Sequence, residues 1–120
     1  MLALRSVPGI TGKVLAGAHG RTLYLFEGDK HGTSQCSGAC ATAWPPFLAA
    51  AALKAGSGVN PALIGTIHRA GGKVQVTYDG HPLYYFQGDM SSGTHHGEGV
   101  KAFGAQWYVV AANGSKIDES

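Results

Sequence analysis

Hydrophobic and polar positions alternate most cleanly between residues 74 and 78, where Val74, Val76 and Tyr78 interleave with Gln75 and Thr77. A period of two is the pattern of a half-buried strand. Asp79-Gly80 follows, a two-residue turn whose glycine tolerates the positive φ of a type I′ loop. Pro82-Leu83-Tyr84-Tyr85-Phe86 then returns, with Pro82 suited to an edge or a first strand position because it has no N–H to donate. Earlier in the chain, Val14-Leu15-Ala16-Gly17-Ala18 pairs in the same way with Thr22-Leu23-Tyr24-Leu25-Phe26 across His19-Gly20. That return strand is apolar on both faces, which predicts a central place in a sheet. Thr66-Ile67-His68-Arg69, ahead of Gly71-Gly72, adds a strand to the second hairpin, and Trp107-Tyr108-Val109-Val110 closes the set. The run from Phe47 to Ala55 predicts a helix, with Pro46 at its first position and Gly56 as its stop. Asn60-Pro61-Ala62-Leu63-Ile64-Gly65 repeats that grammar at one-turn length.

The two hairpins are copies. GKVLAGAHGRTLYLFEGD (12–29) aligns without gaps on GKVQVTYDGHPLYYFQGD (72–89), and half of the positions are identical. The shared residues include Gly12/Gly72, Gly20/Gly80, Tyr24/Tyr84, Phe26/Phe86, Gly28/Gly88 and Asp29/Asp89. A second echo matches Trp44 with Trp107. The expected fold class is mainly β: two pseudo-symmetric hairpin or meander repeats forming one small domain, with short helices between them. Its boundaries are a 1–11 N-terminal extension, a single domain over 12–112 and a 113–120 tail. The repeats run 12–55 and 66–112, joined by a 56–65 connector.

Composition narrows the classes. The chain has 120 residues, of which 19 are glycine, 44% are hydrophobic and 13% are charged. Disorder would need low hydrophobicity with high net charge, and collagen a three-residue glycine period. Neither is present. No apolar run reaches the ~18 residues of a membrane span. The formal net charge is +2, and Arg5, Lys13, Arg21, Lys30, Lys54, Arg69, Lys73, Lys101 and Lys116 are scattered singly. A nucleic-acid partner would call for a basic stripe, so none is expected. Met1-Leu2-Ala3-Leu4-Arg5 lacks the basic and apolar regions of a signal peptide.

Three constellations carry candidate chemistry. Cys36 and Cys40, the two cysteines of the chain, would lie about 6 Å apart at helical spacing, inside disulfide range. They read as a local disulfide of an oxidising compartment, with metal ligation as the rival. His31, His95 and His96 sit in equivalent glycine-rich loops. Imidazoles suit copper or zinc, alone or with Cys36 and Cys40 if these are reduced. Asp29 and Asp89 each follow a strand end behind a glycine. They either satisfy turn amides or pair across the pseudo-twofold to bind a cation or act as acid and base. Trp44 with its echo at Trp107 reads as core packing.

The repeated Tyr24-Leu25-Phe26-Glu27-Gly28-Asp29 and Tyr84-Tyr85-Phe86-Gln87-Gly88-Asp89 resemble the motif Tyr-x-(Phe/Trp/Tyr)-x-x-Asp. This is the motif of the bacterial secreted repeat of unknown function, a family of predicted lipoproteins. Gly20–Tyr24, Cys36–Ala41, Trp44-Pro45-Pro46 and Gln75–Tyr78 extend the resemblance over about residues 12–112. It implies a tandem-repeat domain of the bacterial envelope, extracytoplasmic in the periplasm or at the cell surface and often lipid-anchored. It implies no reaction. The chain departs from the family in lacking a signal peptide and a lipidation cysteine, and its second repeat has no cysteine pair.

The expected function is therefore a non-catalytic binding or structural role toward an envelope ligand or protein, without a cofactor. Tyr24, Phe26, Asp29, Tyr84, Phe86 and Asp89 are the motif candidates. The alternative is a metal-binding or redox-associated protein using copper or zinc. A hydrolase using the paired aspartates is third.

Overall fold

The computed structural model describes residues 2–7, 9–10, 12–17, 20–29, 32–49, 54–69, 72–89 and 94–117. In chain order its strands are β1 (Ala3–Ser6), β2 (Lys13–Ala16), β3 (Tyr24–Phe26), β4 (Ile64–His68), β5 (Val74–Tyr78), β6 (His81–Pro82), β7 (Lys101–Ala102), β8 (Ala105–Val110) and β9 (Lys116–Ile117). A five-residue helix, α1 (Ala39–Ala43), falls within the first repeat, and a 3-10 turn, Pro61–Leu63, lies in the connector between the repeats. The Asn60 side chain accepts the Ala62 N–H at 3.0 Å and so caps that turn as its position predicts.

The second hairpin forms as its alternation predicts. β4, β5 and β6 pair antiparallel in sequence order, and Asp79 (φ 51) and Gly80 (φ 79) both take the left-handed conformation of the I′ turn. In the first repeat Ala16 bridges Thr22, and β1 lies antiparallel on β2 with Leu4 opposite Leu15. The N-terminal segment thus occupies the place that β4 takes in the second repeat, and Leu2 is fully buried. β3 runs antiparallel to β8, with Phe26 opposite Trp107. At its other edge Tyr24 and Tyr84 exchange backbone hydrogen bonds, of 2.8 Å from the Tyr24 N–H and 3.0 Å from the Tyr84 N–H. The return strand is therefore central, as its two apolar faces require. The C-terminal segment, expected as a tail, supplies β9, paired to Val109 and Val110 of β8.

The helix expected from Phe47 to Ala55 is absent where the chain is described. Residues 46–49 are extended instead: Phe47 takes the Leu83 carbonyl and gives its own to Val76, and Ala49 bonds Val74. Residues 50–53 lie outside the described residues. The preference of alanine for helix is worth only tenths of a kcal/mol per residue over most others. Unpaired backbone groups along the buried β5 would cost more, and Phe47 is drawn into the core. This added segment pairs with β5 at the edge opposite β4, with Leu48 opposite Gln75. Gln75 and Thr77 are buried, where alternation alone expected a solvent face, and the Gln75 side chain is taken up by Arg69 and the Leu83 carbonyl.

Alternation along β3 divides the core in two. Leu23 and Leu25 join Leu15, Val76, Tyr78, Leu83, Tyr108 and Val110 in one cluster, mostly aliphatic. Tyr24 and Phe26 point the other way, toward Trp44, Tyr84, Trp107 and the cysteines. The Cα radius of gyration is 12.7 Å, near the ~13.6 Å of a single compact domain of this length. The two halves close on each other. Among the described residues no helix is long and apolar enough to cross a membrane.

Candidate functional site

The repeated motif places its side chains by simple rules. Two residues apart on a strand share a face, so Tyr24 and Phe26 project together, as do Tyr84 and Phe86. The strand ends in a tight turn in which the Asp29 N–H bonds the Phe26 carbonyl and the Asp89 N–H bonds the Phe86 carbonyl, each at 3.0 Å. Each phenylalanine ring folds back over the intervening glycine. A Cβ on Gly28 or on Gly88 would stand 2.6 Å from that ring, which is why both copies carry glycine there. The turn then aims each aspartate inward.

The aspartates do not face each other. Each is held by the tyrosine of the other repeat. The Tyr24 hydroxyl donates to Asp89 Oδ2, and the Tyr84 hydroxyl donates to Asp29 Oδ2 at 2.7 Å. The second carboxylate oxygens accept backbone amides, that of Gln35 at 2.6 Å on Asp29 and that of His96 at 2.7 Å on Asp89. The paired-aspartate geometry expected of a hydrolase is thus replaced by two crossed tyrosine–aspartate bonds related by the pseudo-twofold. Asp89 is only 1% exposed.

Between the crossed bonds lies a column of four rings. Phe26 stacks on Trp107 at 4.2 Å and Trp107 on Trp44 at 3.8 Å, and Phe86 lies tilted by 30° against Trp44 at 4.2 Å. Tyr24 meets Trp44 edge-on, and Tyr84 meets Trp107 in the same way. Offset stacks and edge contacts are the favourable geometries for aromatic quadrupoles. The column alternates between repeats, so its three contacts each tie one half to the other, while the two tyrosine edge contacts lie within a repeat.

Burial and the adjacent carboxylates raise the pKa of Tyr24 well above the ordinary tyrosine value. Tyr84 is also raised, chiefly by burial and then by Asp29, against the opposing Ser34 hydrogen bond. Both hydroxyls therefore stay protonated and donate. Burial pushes the Asp29 carboxyl up as well, and outweighs the Gln35 amide, the Tyr84 bond, Arg69 and His81.

The surroundings of the two bonds differ. Around Asp89, Tyr24 also accepts the Gly97 N–H at 3.2 Å, deep in the core. Around Asp29, Tyr84 continues outward through Ser34, whose Oγ lies 2.5 Å away. Arg69 donates to Ser34 Oγ at 3.0 Å, to Gln75 Oε1 at 2.9 Å and to the Cys36 carbonyl at 2.8 Å. Gln75 in turn donates to the Leu83 carbonyl at 2.7 Å. This chain borders a cleft of about 760 Å³ between the cysteine loop and the β4–β5 end of the second repeat.

The Cys36 and Cys40 sulfurs lie 2.03 Å apart, at bonding distance for a disulfide. His96 places its ring in solvent, with Nδ1 3.0 Å from the Gly88 carbonyl, and contributes its backbone amide to the motif. The His95 ring packs beside Gly9. His31 lies outside the described residues. Among the described residues no three His, Cys, Asp or Glu side chains gather as a metal set.

Sequence reading assembled the six motif residues but missed Ser34, Gln35, Arg69 and Gln75. Nothing local marks them. Arg69 is one of nine scattered basic residues, and two of its three partners, Ser34 and Cys36, belong to the other repeat.

No curated protein and no solved structure matches the chain. Residues 7–47 and 65–111 match a family described as the secreted repeat of unknown function, and these segments bracket the two crossed motifs. With well over half of its length covered, one segment per repeat, the chain belongs to the family of secreted repeats of unknown function.

Proposed function

We propose that the chain works outside the cytoplasm as a non-catalytic domain of the bacterial envelope, in which the duplicated motif is a lock between repeats and ligand contact falls to the surface around it. The observation that carries this reading is the crossing of the tyrosine–aspartate bonds. A motif whose carboxylate oxygens are all occupied by protein donors is spent on holding the fold. The bonded distance between the cysteines and the secreted family support an oxidising, extracytoplasmic location.

Thiol trapping in fractionated cells that express the full-length protein tests the location. The expected result is an extracytoplasmic chain with both cysteines blocked to the trap. A cytosolic chain with two free thiols overturns it. A screen with chromogenic esters and glycosides tests the lock, and a turnover that disappears in Asp29→Asn would show that the carboxylate is catalytic instead.

A further inference from the structure

The cleft beside the cysteine loop has a consistent chemistry. Its walls carry Ser34, Ser37 and Thr42 from the first repeat and His68, Arg69 and Lys73 from the second. Among the described residues none of the lining groups is acidic. Among the described residues neither Arg69 nor Lys73 has a carboxylate at ion-pair distance, the close charged pair being Lys116 with Glu27. Asp29, on the far side of Ser34, feels the charge of Arg69, but its two oxygens are already held by Tyr84 and Gln35.

Arg69 is the fixed element. Three neutral acceptors orient its guanidinium, and it keeps further N–H donors out of the five that the group carries. A half-buried cation held by neutral partners, beside a second cation and a set of hydroxyls, is arranged to receive an oxyanion. The volume of about 760 Å³ falls in the range of small-molecule sites, roughly 300–1,000 Å³, so more than a bare ion fits.

We propose that this cleft binds a hydroxyl-rich ligand bearing one oxyanion, a sugar acid or a sugar phosphate. Arg69 and Lys73 take the charge, and Ser37 and Thr42 meet the hydroxyls. The site needs both repeats, because the hydroxyls come from one and the cations from the other. The lock of crossed bonds is thus what holds its walls in register. This proposal rests on the reading of the protein as a binding domain and names its ligand class.

The experiment is a titration of the isotope-labelled protein, followed by its amide resonances, with glucuronate, glucose 6-phosphate and neutral glucose. Saturating shifts confined to Ser34–Ser37, Thr42, Ile67–Arg69 and Lys73 are expected with at least one anion and not with glucose. Saturation by glucuronate alone identifies carboxylate sugars, and by glucose 6-phosphate alone phosphate sugars. Lys73→Glu should weaken the binding about tenfold or more, since hydrogen bonds to charged groups carry at least that much. Lys73 has an exposed side chain, so the variant should keep the wild-type melting temperature. No saturation with either anion, an equal response to glucose, or unchanged affinity in Lys73→Glu overturns the proposal. An extracytoplasmic, disulfide-bonded chain that fails this titration would leave the broader reading standing, whereas a cytosolic, reduced chain that passes it would sink only the location.

Discussion

Tyr24 and Tyr84 occupy equivalent positions in the repeated motif, yet removing their hydroxyls should cost different amounts. Tyr24→Phe leaves Asp89, only 1% exposed, with the His96 amide but without its hydroxyl donor. It also strands the Gly97 N–H that bonded the hydroxyl. A lost hydrogen bond to a charged group is worth about 1.5–3 kcal/mol and an orphaned buried amide about 1 kcal/mol or more, so the loss should be about 3 kcal/mol. Tyr84→Phe leaves Asp29 half-buried, where water can replace the hydroxyl, and the loss should be about 1 kcal/mol. For a domain of this size the melting temperature should fall by about 10 °C in the first variant and about 4 °C in the second. Chemical denaturation at neutral pH gives both values. A double-mutant cycle of Tyr24→Phe with Asp89→Asn should then show a coupling energy of about 1.5 kcal/mol or more. Equal losses in the two tyrosine variants, or a coupling near zero, would refute the assignment of Asp89 and Tyr24 as a buried, directly bonded pair.

The other predictions follow from the same geometry. Gly28→Ala puts a Cβ 2.6 Å from the Phe26 ring, which is buried and stacked on Trp107; the variant should lose about 1–3 kcal/mol together with near-UV tryptophan dichroism, and an unchanged near-UV spectrum would count against the ring column. Replacing Cys36 and Cys40 by serine opens a loop of sequence separation 4, which on chain-entropy grounds should cost about 2 kcal/mol, read as a shift in urea midpoint. Because the Asp29 pKa is raised above its ordinary value of 3.8, the folded state holds that proton more tightly than the unfolded one. The contribution favours folding in acid and is lost as pH rises through the folded pKa. Asp29→Asn should therefore remove a downward slope of stability with pH just above 3.8, and identical slopes in the two proteins would contradict burial as the cause of the raised pKa. Lys116→Ala breaks an exposed pair with Glu27 at 2.6 Å and should change stability by less than about 1 kcal/mol.

Much of the architecture was legible because it is written locally and twice. Strand alternation, the Asp79-Gly80 turn, the Asn60 cap and the duplicated Tyr-x-Phe-x-Gly-Asp depend on residues within a few positions of one another, and periodicity reports such relations. The duplication also placed Trp44 and Trp107 in one core, and the cysteine spacing anticipated the bonded pair. Where the local signal misled, a distant surface outbid it. Residues 46–49 are extended because β5 needed backbone partners, and Gln75 is buried with its side chain bonded to Arg69 and the Leu83 carbonyl.

The chain of amino acids by itself determined a small, mainly β, duplicated domain and its six motif residues. Only the tertiary structure decided what those residues bond. A repeat states that Tyr24 matches Tyr84 and Asp29 matches Asp89, but a pseudo-twofold lets each tyrosine meet either its own aspartate or the other copy's. The exchange of backbone bonds between Tyr24 and Tyr84 draws the repeats side by side, and each hydroxyl then reaches the neighbour's turn. The same closure turns two equivalent motifs into an inner, sealed bond at Asp89 and an outer one at Asp29 that opens through Ser34 and Arg69 onto a basic cleft. That difference arises from contacts between residues far apart in the chain, which no local pattern encodes.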